Sequence, residues 1–458
     1  MKRRSEKRVE AENPRRAVDG LYEALAGAVW GVFDGLAEVR RGGNVQYTMG
    51  VLARTAFGVF YMKSPSFLEG QRAMQGMCGK SNAGSFFGVA DIPTDGQVRS
   101  VLDRVGTGVL LEAYDAVLEV MEGRGLLDGL EVLGGMLAVA LDGTWYHSSE
   151  KIGCDNCTVV KAGEGEVRRH HSVLTPAIVS PDMRGVAVPV RPEFVVPQDG
   201  HEKQDCEIAA AKRALPRLAA LGARKAGCVL LGDDLYSRQP FCRQAALHGL
   251  HFLFTCKEES HKTLYEWVTP LDASTGLVTV AERRETAPGV CERWEVRFAK
   301  GVPLADGEGS MRVNWLAAEV TDRKGGVYSC AWVTDMDVTE ANAVELARLA
   351  RARWRIENEH NNTLKCRGYH LEHNFGHGKA NLSCNLAALN ILAFLLHTAQ
   401  WLAGGLYAEV RELMRTRRAF HNALQVLAEF FYWSSFEQML LFMVESSRNG
   451  SRPPPPRT

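Results

Sequence analysis

The 458-residue chain has no excess of either charge: 54 Lys and Arg stand against 54 Asp and Glu. It therefore lacks the global basic field that draws a protein to nucleic acid or to an acidic membrane, and any DNA-binding face must be local. Long uninterrupted apolar runs are missing as well. The most apolar stretch, 386–403, is broken by Asn390, His397 and Gln400, which fits a buried helix and not a membrane span. The start carries no secretory signal, and eleven cysteines, an odd number, are scattered instead of being spaced as a disulfide framework. A reducing cytoplasm with free thiols is the expected setting, with no membrane partner. Internal repeats are absent too. What remains is ordinary for a soluble globular chain, 46% apolar and 24% charged, with room for two or three domains.

Residues 1–16 carry seven Lys or Arg against three Glu and little that could pack, as expected of a basic arm or a solubilising tail. Residues 17–130 read as helical. Leu21, Leu25, Val29 and Val32 fall on one stripe, and Leu52, Phe57, Val59 and Phe60 on a second helix closed by Ser64-Pro65-Ser66. Thr94 or Asp95 caps a further helix bearing Arg99. This region suits DNA recognition or plain packing.

At Met136 the texture changes. MLAVALDGTWYHSS (136–149), two β-rich runs at 170–181 and 185–196, KAGCVLLGDDLYS (225–237) and LHFLFTCK (250–257) read as five strands of a mixed α/β core. Between them lie a helix over 206–222, kinked or broken near Pro216, and a short helix over 240–248. Residues 262–326 alternate between turns and amphipathic strands, as an inserted antiparallel β unit would. The core is then expected to occupy 131–261 and 327–380, followed by a helical region (381–446) and a Pro-, Ser- and Arg-rich tail (447–458).

Two apolar runs end in acid, at Asp142 and at Asp233-Asp234. A third acid, Glu357, lies in ARARWRIENEHNNTLKCRGYH (350–370). Val344, Leu346, Leu349, Trp354 and Ile356 recur at helical spacing, which predicts one long amphipathic helix carrying Glu357, with Arg353 one turn before it. The acids are 91 and 124 residues apart. Two strand-tip carboxylates and one helical carboxylate suit hard divalent cations, a pair of which clamps both oxygens of an in-line phosphoryl displacement.

The three stretches LDGTWYHSSEK, LLGDDLYSRQPFC and RWRIENEHNNTLK, with GYHLEHNFGHGKANLS after them, resemble the acidic motifs of bacterial insertion-sequence transposases with a DDE triad. The likeness is to the cut-and-paste class, with an RNase H-like core and a β-rich insertion before the Glu. It covers about 135–385, and 45–105 more weakly. The resemblance implies Asp142, Asp233 and Glu357 as catalytic ligands of two Mg²⁺ or Mn²⁺ ions. It also implies Arg353 and Lys365 on DNA near the cleavage point, and a homodimer acting on double-stranded DNA. Two departures stand out. Ala350 occupies a position where that class carries tyrosine, and Lys365 lies one residue farther from the Glu than usual, a rotation of about 100° on an ideal helix. Asp234 and Glu359 are near-duplicates of the chosen acids. A metal-dependent nuclease without strand transfer, or a transposase-derived DNA-binding protein, are the alternatives.

Other residues invite weighing. Arg367, His370, His373, His377 and Lys379 form a basic, glycine-punctuated loop suited to phosphate contacts. Trp145, Tyr146 and His147 are candidates for base stacking or for strand-end packing. His201 and Glu202 lie in a polar loop that faces DNA or metal, or simply precedes a helix. Cys154 and Cys157 form a lone CxxC with His170 and His171 downstream, half of a structural zinc site or ordinary thiols.

Overall fold

A computed structural model describes residues 20–42, 45–162, 166–197, 205–287, 290–322 and 325–449. The basic arm, most of the tail, and His201 with Glu202 lie outside them. The chain divides into two compact units, residues 1–126 with 364–458, and residues 127–363.

The first unit is helical. Its N-terminal part holds Leu21–Asp34, Met49–Tyr61, Phe67–Gln75, Gly79–Phe87, Asp95–Leu102 and Thr107–Gly123; Leu382–Ala403 is its longest helix. That helix is long and apolar enough to cross a membrane, yet its most apolar window is wholly buried in the fold. Its polar interruptions anchor neighbouring segments. Asn385 donates to the carbonyls of Leu102 and Val105, Asn390 to that of Tyr369, and Gln400 to the Tyr61 hydroxyl. The Asp103 carboxylate accepts the backbone N–H groups of Lys379, Ala380, Asn381 and Leu382 at 2.9–3.0 Å. It thereby satisfies the start of the helix from outside. Thr94 is the N-cap of Asp95–Leu102, in a capping box with Gln97.

The second unit contains fourteen strands among its described residues: β1 (Glu131–Val132), β2 (Met136–Ala140), β3 (Gly143–Ser149), β4 (Thr158–Ala162), β5 (Glu166–Leu174), β6 (Ala177–Val179), β7 (Val188–Pro189), β8 (Glu193–Val195), β9 (Cys228–Gly232), β10 (His251–Thr255), β11 (Val278–Ala287), β12 (Val290–Pro303), β13 (Arg312–Thr321) and β14 (Val327–Thr334). The main sheet has ten strands in the order β11-β12-β13-β14-β10-β9-β2-β6-β7, with β1 also on β2. Among the described strands, only β2-β9 and β9-β10 are parallel. The architecture is a mixed α/β fold around a mixed sheet.

Three expectations change here. The sheet has ten strands and not five, because β14 pairs with both β10 and β13 and so joins the antiparallel β unit to the core without an intervening edge. The runs at 170–196 are divided: β6 and β7 join the main sheet, while β3, β4, β5 and β8 form a separate four-stranded one. The helix Glu207–Ala223 continues through Pro216. One face of the main sheet, including Ala138, Val229, Leu253, Val296 and Leu316, shares an apolar cluster with Val344, Leu346, Ala347 and Ala350 of the helix Ala343–Arg351. The opposite side chains, Leu137, Val139, Leu230, Phe252 and Phe254, are buried as completely, which is why these strands read as unbroken apolar runs.

Candidate active site

β2 and β9 lie side by side in parallel, with Ala140 opposite Leu231. Each chain then runs two residues further to an acid, so Asp142 and Asp233 leave the carboxyl ends of neighbouring strands at the same level. The Leu141 N–H bonded to the Leu231 carbonyl at 2.8 Å holds that level. Ligand sites in open α/β sheets form at such strand ends. Both acids are half-buried.

Glu357 does not sit on one long helix. The helix Ala343–Arg351 ends, turns at 352–353, and the chain re-forms as a π turn over Ile356–Asn361 before the short helix Asn362–Cys366. A π turn holds one residue more than an α turn and recurs at functional sites. Here it carries three polar groups that the site uses. Arg353 pairs with Glu357 at 2.8 Å. Asn361 Nδ2 donates to Asp142 Oδ2 at 2.6 Å, and the Asn361 Oδ1 lies 2.8 Å from Nδ1 of the buried His360. Burial lowers the His360 pKa to about 4, so its neutral ring donates to Asn361 and turns the carboxamide nitrogen toward Asp142.

A fourth carboxylate enters unannounced. Glu207, the first residue of the helix Glu207–Ala223, accepts from the Gly143 N–H at 3.1 Å and from the Tyr236 hydroxyl. Gly143 has no Cβ for a reason: one would lie 2.3 Å from Glu207 Oε2. Burial, then the charges of Glu207, Glu357 and Asp233, push the Asp142 carboxyl up to about 7, with Arg353 opposing. The sequence reading missed Glu207, Asn361 and Tyr236, although Tyr236 lies in the GDDLY stretch. Nothing in the polar run before the helix distinguishes Glu207 from a capping residue.

The near-duplicates point elsewhere. Asp234 accepts the Lys257 N–H and the Ser260 hydroxyl, both at 2.7 Å, and lies 3.6 Å from His261 Nε2. Glu359 lines a cleft with Arg184, Arg348, Arg351 and Arg355. The remaining expected DNA contacts, Lys365, Arg367, His373 and Lys379, belong to the helical unit. Lys365 pairs with Glu372 at 2.8 Å, whereas Arg367, His373 and Lys379 are exposed. His377, counted with that loop, is buried at 7% exposure, which does not suit a phosphate contact. Trp145 is 49% exposed and stacked on His170 at 4.3 Å. Tyr146 is buried in the sheet.

The donor set of Asp142, Asp233 and Glu357, with Glu207 beside them, is all oxygen, and the Arg353 charge partly offsets it. Such a set fits a hard divalent ion. Residues 201–395, which include Glu207, Asp233 and Glu357, match the family model described as a transposase DDE domain. No curated protein matches the chain.

Proposed function

Because residues 201–395 match the transposase DDE domain, we propose that the chain is a DDE transposase of insertion-sequence type, with Asp142, Asp233 and Glu357 as its catalytic carboxylates on an RNase H-like core. The observation that carries this reading is the level pairing of Asp142 and Asp233 on parallel strands, with the Asp142 carboxyl raised by burial and then by its acidic neighbours. Two Mg²⁺ or Mn²⁺ ions held there would supply Lewis-acid activation of the attacking and leaving oxygens. The chain's own residues orient that apparatus. Asn361 fixes Asp142, Arg353 fixes Glu357, and the Gly143 N–H with the Tyr236 hydroxyl fixes Glu207.

Water attacks phosphorus at the element end, and the bridging oxygen leaves as a DNA 3′-hydroxyl. That hydroxyl then attacks a target phosphodiester and displaces the target strand's own 3′ oxygen, so bond number is conserved. Arg353, Lys365, Arg367, His373 and Lys379 are proposed to contact phosphates, contacts that position DNA without reading its sequence. Two ends cut together call for a homodimer on double-stranded DNA.

Strand transfer with labelled element-end DNA and Mg²⁺ tests the reading. Joined products that disappear in Asp142→Asn and Glu357→Gln while DNA binding persists support it. Cleavage without joining indicates a nuclease, and binding without cleavage a DNA-binding descendant.

A further inference from the structure

Between β3 and β4 the chain turns through Cys154-Asp155-Asn156-Cys157, and both thiols meet the imidazole of His171 on β5. The two Sγ atoms are 4.0 Å apart, and each lies 3.4 Å from His171 Nε2. A disulfide is excluded, since that separation is about twice a covalent S–S bond. Ordinary hydrogen bonding does not account for the triangle either, because one ring nitrogen accepts from only one of two thiols at a time.

Tetrahedral zinc does account for it. With Zn–S near 2.3 Å and Zn–N near 2.0–2.1 Å, two sulfurs fall about 3.8 Å apart and each about 3.6 Å from the nitrogen. The three observed edges agree with those values to about 0.2 Å. We propose that Cys154, Cys157 and His171 hold a structural Zn²⁺, with a further donor or water completing the tetrahedron.

The surroundings suit a metal knuckle. The Cys157 N–H closes the turn on the Cys154 carbonyl at 3.1 Å. The Cys154 N–H points at Cys157 Sγ at 3.4 Å, a contact that favours the thiolate a metal requires. His171 is fully buried, and its ring stacks on Tyr146 at 5.5 Å and 13°, which fixes the plane in which Nε2 is presented. Gly153 lets Arg169 cross the loop, since a Cβ there would lie 2.1 Å from Arg169 Cδ. β5 pairs with β3, β4 and β8, so zinc at His171 ties the 150–157 loop to the central strand of the small sheet. Thiolate and imidazole donors select zinc, whereas the all-oxygen cluster around Asp142 selects Mg²⁺ or Mn²⁺. The two sites call for different metals in one unit.

Metal analysis of the purified full chain, dialysed with Mg²⁺ present, tests this. About one zinc per chain is expected. It should be lost from a Cys154→Ser/Cys157→Ser variant and retained by Asp142→Asn. Should the double variant fail to fold, Co²⁺ titration of the zinc-stripped wild-type chain decides: binding at this site produces a thiolate-to-cobalt charge-transfer band and tetrahedral d–d absorption. Folded wild-type protein with neither zinc nor that band overturns the proposal, as does zinc that disappears with Asp142→Asn.

Discussion

Asn361 donates to Asp142 across 219 residues of chain, at 2.6 Å. This bond links the π turn that carries Glu357 to the strand end that carries Asp142. Groups that orient a metal-binding carboxylate tune its affinity for the ion. Asn361→Ala is therefore expected to raise the Mg²⁺ concentration needed for cleavage by about 10–100-fold, with activity recovering at high Mg²⁺. A Mg²⁺ titration of cleavage checks this; a loss that added Mg²⁺ never rescues would refute the orienting role.

Asp142 sets a pH dependence whose sign follows from its neighbours. Its carboxyl sits at about 7 in the fold against an ordinary value of 3.8. As pH rises through that window the unfolded chain releases the proton first, so the metal-free protein loses stability and bears the full cost above about pH 7. Asp142→Asn removes the cost. In chelator at about pH 8 the variant should melt at least about 2 °C above wild type, and the gap should close toward about pH 4. Thermal melts across that range are decisive, and a gap independent of pH would contradict this account.

After burial, the charge of Glu207 raises the Asp142 carboxyl most. Glu207→Gln keeps an oxygen to accept from Gly143 and Tyr236 while removing the charge. It is expected to bring the Asp142 carboxyl down and to raise metal-free stability, and NMR titration of the Asp142 carboxyl reads this directly. Gly143→Ala places a methyl 2.3 Å from Glu207 Oε2 and should cost cleavage at least about tenfold by displacing that side chain.

The adjacent acids Asp233 and Asp234 should separate cleanly. Asp233→Asn is expected to abolish cleavage with little change in melting. Asp234→Ala forfeits the acceptor of the Lys257 N–H and the Ser260 hydroxyl, and should lower stability by about 1–3 kcal/mol while cleavage continues. Denaturant melts beside a cleavage assay distinguish them; the reverse pattern would exchange the two roles.

Asp103 is the corresponding test in the helical unit. Although burial opposes it, four backbone N–H bonds hold its carboxyl below the ordinary value. Its stabilisation is therefore present above about pH 4 and lost as pH falls through the lowered value. Asp103→Ala should cost about 1–2 kcal/mol near neutrality, and a melt unchanged there would contradict the capping role.

Much of the site was visible in the chain because its chemistry coincides with local patterns. An apolar run buried on both faces and ending in acid reads as a core strand with a carboxylate at its tip, which describes β2 with Asp142 and β9 with Asp233. The π turn was not visible. Helical periodicity assumes one turn geometry, so the angle read from the eight-residue step between Glu357 and Lys365 applies to an ideal helix that this segment does not form. Ala350, conspicuous against the transposase pattern, proved to be a buried contact at 2% exposure between helix and sheet.

By itself, then, the sequence determined the features that are local in character: acid after apolar strand, caps before helices, polar residues spaced along Leu382–Ala403. Tertiary structure alone decided that β14 joins two sets of strands into one sheet, that Glu207 faces Asp142, and that His171 meets Cys154 and Cys157. Those pairings rest on contacts between residues tens to hundreds of positions apart. Their free energy comes from burying surfaces against each other, and no periodicity within a short window encodes it.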